Sequence, residues 1–70
     1  MKINTQKLIR GQVMLSGEIV LSAVQPRGET FNRFPKMHIK LLNPKTGKTR
    51  FASWNLYGTV YCKDEIVELP

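Results

Sequence analysis

Residues 33–54, RFPKMHIKLLNPKTGKTRFASW, hold the strongest structural signal in the chain. From Lys36 to Leu42 apolar and polar side chains alternate. Met37, Ile39 and Leu41 fall on one face, and Lys36, His38 and Lys40 on the other. A period of two is the mark of a half-buried β-strand. A second strand is expected over Thr49–Trp54. Between them, Asn43-Pro44-Lys45-Thr46-Gly47-Lys48 has turn chemistry, because Pro44 pre-sets its φ and Gly47 accepts a positive one. If Asn43 opposes Lys48, Ala52 and Trp54 join the apolar face. If a bulge at Gly47 shifts the pairing by one residue, Phe51 joins the core instead, and Arg50 and Trp54 join Lys36, His38 and Lys40. Trp54 is expected to be at least partly buried, since a small domain seldom spares its largest apolar side chain.

The same region carries the charge. Residues 26–50 contain seven bases (Arg27, Arg33, Lys36, Lys40, Lys45, Lys48 and Arg50) and one acid, Glu29, an excess that equals the +6 of the whole chain. The flanks cancel: Lys2, Lys7, Arg10 and Glu18 precede the window, and Lys63, Asp64, Glu65 and Glu68 follow it. So concentrated a positive charge favours nucleic acid or another acidic partner.

Within residues 26–35 (PRGETFNRFP), two prolines bound an irregular stretch in which Arg27 and Arg33 alternate with Phe31 and Phe34. Bases neutralise phosphates and rings stack on exposed nucleobases, so interleaving the two suits a nucleic-acid surface. The competing reading has the phenylalanines closing the end of a barrel and the arginines solvated.

The other segments are β-like or irregular. Residues 1–10 read as an arm or an edge strand, and residues 11–70 as one domain. Val13 and Leu15 alternate with Gln12, Met14 and Ser16. Gly17 then marks a turn, bulge or bend, and Glu18–Gln25 resumes with Ile19, Leu21 and Ala23 on one face. Trp54–Gly58 reads as a turn, Thr59–Lys63 as a strand, Asp64-Glu65 as a turn and Ile66–Leu69 as a closing strand. The expected core is Val13, Leu15, Ile19, Leu21, Met37, Ile39, Leu41, Val60, Ile66 and Val67. No apolar stripe follows the helical period, so the chain is all-β, with five or six strands. In strand count and in its closing EIVEL strand it resembles SH3-like small barrels, with an OB-like barrel as the second candidate.

At 70 residues the domain relies on a small core, or on a second copy of itself as a homo-oligomer. Cys62 and His38 are the only residues of their kinds. An intrachain disulfide or a Cys/His zinc centre is thereby excluded by count. No metal or cofactor is expected. The start, MKINTQKLIR, is too polar for a signal peptide, no run spans a membrane, and the lone cysteine suits a reducing, cytoplasmic setting. Gly47-Lys48-Thr49 is similar to the tail of a phosphate-binding P-loop, but Leu42 stands where that motif needs a glycine. A thiol enzyme built on Cys62, His38 and Asp64 is the weaker alternative to Cys62 as a core residue.

The expectation is therefore a small, basic, non-enzymatic domain that binds DNA or RNA. Its phosphate contacts are Arg27, Arg33, Lys36, His38, Lys40, Lys45, Lys48 and Arg50, and its base-stacking candidates are Phe31, Phe34, Trp54 and Tyr57. The alternative is an interaction or inhibitor module that docks on an acidic protein partner.

Overall fold

The computed structural model describes residues 1–25 and 36–69. Arg27, Phe31, Arg33 and Phe34 lie outside the described residues. Among the described residues six strands form: β1 (Lys2–Asn4), β2 (Gln12–Met14), β3 (Ile19–Val24), β4 (Lys36–Leu42), β5 (Thr49–Asn55) and β6 (Thr59–Ile66). A 3₁₀ turn, Thr5–Lys7, follows β1. All pairings are antiparallel, in the order β1-β6-β2-β3-β4-β5. The sheet curls into a half-barrel, the small all-β architecture expected.

The β4–β5 hairpin takes the first of the two registers. Asn43 N–H donates to Lys48 O at 2.8 Å, and every residue from Lys36 to Leu42 pairs in turn with Asn55 to Thr49. Gly47 adopts φ +74° and donates its N–H to Asn43 O at 2.8 Å. Its left-handed conformation closes a four-residue loop without shifting the ladder. Met37 and Ile39 thus share the concave face with Trp54 and Ala52, and both strand-five residues pack against the core.

Gly17 closes the β2–β3 hairpin rather than bending one long strand. Met14 N–H donates to Glu18 O at 2.7 Å and Gly17 N–H to Met14 O at 2.8 Å, with Gly17 at φ +96°. This is the three-residue loop with glycine in the left-handed position. Leu15 is the first residue of that loop, so the alternation stops before it. It is 62 % exposed, and Met14 is buried in its place. On β3 the register shifts between Val20 and Ser22, and Val20 becomes fully buried while Ile19 and Leu21 are only half-buried.

Asp64-Glu65 is not a turn. β6 runs through it as one strand with a bulge, since Gln12 pairs with Ile66 but Met14 with Cys62. Buried Gln12 holds the bulge by donating its Nε2 to Lys63 O (3.0 Å) and Glu65 O (3.3 Å). Ile66, expected in the core, is turned out and 60 % exposed. Gln12→Ala should therefore cost about 1–3 kcal/mol in urea unfolding, the cost of leaving the partly buried Lys63 and Glu65 carbonyls without their donor.

The core lies on the concave side and comprises Leu8, Met14, Val20, Met37, Ile39, Leu41, Leu56 and Cys62. Leu8 enters after the 3₁₀ turn and Leu56 from the β5–β6 turn, so non-strand residues help to fill the curl. Among the described residues no helix is long and apolar enough to cross a membrane.

Candidate nucleic-acid interface

The register that turns Met37, Ile39 and Ala52 toward the core turns their neighbours to the convex face. Rows across β3, β4 and β5 there read Val24–His38–Ser53, Ser22–Lys40–Phe51 and Ile19–Leu42–Thr49, with Lys36 beside Asn55. Lys36 and Lys40 are four residues apart on one strand, about 13 Å at strand rise. Ser53 Oγ lies 3.3 Å from His38 Nδ1. Lys40 Nζ lies 5.7 Å from the centroid of the Phe51 ring, a cation–π contact. Phe51 is nonetheless 75 % exposed. A phenylalanine displayed beside lysines on an open sheet has the parts of a base-stacking platform.

The convex rows contain no acid. Of the described acids, Asp64 and Glu65 lie on β6, three strands from β4 and about 14 Å along the curled sheet. Their field at β4 is largely screened at physiological salt. Lys45 and Lys48 extend the basic surface at the exposed hairpin tip. The tip does not present a P-loop-like phosphate nest, because the amides of Lys45, Gly47 and Lys48 are already engaged within the turn. Lys45 N–H donates to Asn43 Oδ1 at 3.0 Å and Lys48 N–H to Thr46 Oγ1 at 3.3 Å.

Arg50 is separated from this set. It pairs with Leu41 on the concave side and grips Glu18 through two bonds of 2.8 Å, Nε to Oε2 and Nη2 to Oε1. Ser16 Oγ donates to the same carboxylate at 3.1 Å. The Arg50 guanidinium, aided by Ser16, holds the Glu18 carboxyl below its usual range, against a smaller opposing effect of burial. A lowered folded-state pKa means that the pair stabilises the fold above the unfolded carboxylate pKa and stops doing so as pH falls through the folded one. The stability gap between wild type and Glu18→Gln should thus be constant near neutrality and vanish in acid, below the ordinary carboxylate range. Urea midpoints across pH check this. Two shallow depressions, of about 230 and 290 Å³, flank the pair and share Glu18 and Asn43 in their walls. Lys45 lines the first and Lys48 the second, across from the Glu18 carboxylate that Arg50 already engages.

The aromatic candidates divide. Trp54 packs on the core and is half-buried. Tyr57 is 72 % exposed in the turn after β5, beyond the Lys36 end of the face. Phe51, not among the sequence candidates, occupies the central position. Its signal was available once Asn43 was set opposite Lys48, since that register pairs Phe51 with Lys40.

The Cys62–His38 pairing is not assembled. Cys62 is fully buried on the concave side, where desolvation pushes its thiol pKa up, while His38 is exposed on the convex side. A raised pKa leaves little nucleophilic thiolate. Among the described residues no group of three or more His, Cys, Asp or Glu is placed to hold a metal ion. Comparison with protein-family models, curated proteins and solved structures finds no match to this chain.

Proposed function

We propose that the protein binds single-stranded nucleic acid on the convex face of β3–β4–β5, without catalysis. Lys36 and Lys40, continued by Lys45 and Lys48 at the tip, neutralise successive phosphates, and Phe51 stacks on a base. His38, between the two strand lysines, adds a hydrogen-bonding group. The observation that carries this reading is the exposed Phe51 ring beside Lys40 on a sheet face free of acidic residues. Ring stacking needs an unpaired base, and a convex sheet offers no helix or ribbon to enter a major groove. Both arguments favour a single strand over a duplex.

Titration of labelled single-stranded and duplex oligonucleotides with Phe51→Ala and Phe51→Trp tests the assignment. Phe51→Ala should lose about 1–3 kcal/mol of single-strand affinity, roughly 5- to 150-fold, with little change for duplex. Phe51→Trp should retain or improve it. Equal affinity of the alanine and tryptophan variants would remove Phe51 from the site.

A further inference from the structure

We propose that β5 is a homodimerisation edge, pairing antiparallel with β5 of a second copy about a two-fold axis at Ala52. Among the described residues β5 is the last strand of the sheet, and its seven residues pair with β4 without a bulge. The Asn43 N–H to Lys48 O bond sets the alternation of the ladder. Arg50, Ala52 and Trp54 direct their backbone groups to β4, which leaves those of Thr49, Phe51 and Ser53 pointing outward. Edge strands in soluble proteins are commonly guarded by proline, lysine, a bulge or brevity. β5 (TRFASWN) has none of these, and its single charge, Arg50, is already held by Glu18.

Any extended chain would satisfy such an edge, but the side chains select a copy of this one. With Ala52 on the axis, Phe51 faces the partner's Ser53, Thr49 faces the partner's Asn55, and Arg50 faces the partner's Trp54. The outward backbone groups of Phe51 and Ser53 then meet each other, as an antiparallel ladder requires. No like charges are opposed, and each Arg50, whose side chain is 58 % exposed, meets an aromatic ring. The two Phe51 rings become diagonal neighbours, about 7–8 Å apart between strands and within reach of each other. The pairing also joins the two convex faces into one.

Two chains of +6 repel each other, so added salt should strengthen this association. Phosphate binding responds to salt in the opposite sense, which keeps the dimer and the nucleic-acid site separately testable. Sedimentation of the nucleic-acid-free protein over a concentration series, at low and high salt, should show the mass doubling from 8.0 kDa, more readily at high salt. Ser53→Pro removes an outward N–H while leaving the β4 ladder intact, and should remain monomeric with the wild-type circular dichroism spectrum. Should that variant fail to fold, amide exchange on the wild type decides. Phe51 and Ser53 should become protected as concentration rises. A wild type that stays monomeric at every concentration and salt, a folded Ser53→Pro that still dimerises, or amides at Phe51 and Ser53 that never gain protection would each overturn the proposal.

Discussion

Gly11→Ala is expected to remove most of the stability of the domain. Gly11 joins three strands, because its N–H donates to Val20 O and its carbonyl accepts from Val67 N, both at 2.8 Å. It does so at φ +95°, and an added Cβ would run into the Val67 carbonyl oxygen. That oxygen belongs to backbone, so relief requires moving the end of β6 away from β2. The positive φ costs alanine roughly 1–2 kcal/mol, the overpacking about 1–3 more, and a lost backbone bond about 1. A domain of 70 residues has only about 4–10 kcal/mol in total. Gly47→Ala is the control: φ is +74° there, but nothing lies within 4 Å of the new Cβ. It should lose only the backbone term. Urea unfolding followed by Trp54 fluorescence separates the two, and equal losses would mean that the Val67 contact yields easily.

The second large effect is expected in binding. Lys36→Glu/Lys40→Glu should lower single-strand affinity by at least about 100-fold, with the fold unchanged. Two charge-assisted contacts of about 1.5–3 kcal/mol each are lost, and repulsion replaces them. Lys2→Glu/Lys7→Glu makes the same change in net charge at exposed residues of β1 and the 3₁₀ turn. It should cost far less if binding is local to the convex face. Comparable losses in the two double variants would point to a diffuse charge effect and no defined site.

The hairpin around residues 43–48 was legible because its information is local. Strict alternation fixed β4, and Asn43-Pro44 with Gly47 fixed the loop. One hydrogen bond then settled both the half-burial of Trp54 and the face of Phe51. The core was harder to read where a strand met a bulge or turn. Leu15 lies one residue past the end of β2, and the shift between Val20 and Ser22 reverses the face on which β3 is buried. Asp64-Glu65 has the composition of a turn, and only the side chain of Gln12, more than fifty residues away in sequence, makes it a bulge. Leu8 and Leu56 lack any period because they come from turns. For the site, charge density alone grouped Arg50 with Lys36 and Lys40. The Glu18 carboxylate that engages it comes from a distant strand boundary, and no sequence pattern announces that pairing.

The central claim is that a defined set of lysines on one sheet face meets the phosphates of a single strand. Its most direct test is the equilibrium affinity of the wild-type protein for a mixed-sequence single-stranded oligonucleotide, measured across salt concentration. With Lys36, Lys40, Lys45 and Lys48 each releasing a counterion, log affinity should fall against log salt with a slope of about −3. No measurable affinity at low salt, or a slope near zero, would contradict the account and leave an acidic protein as the partner of the basic face.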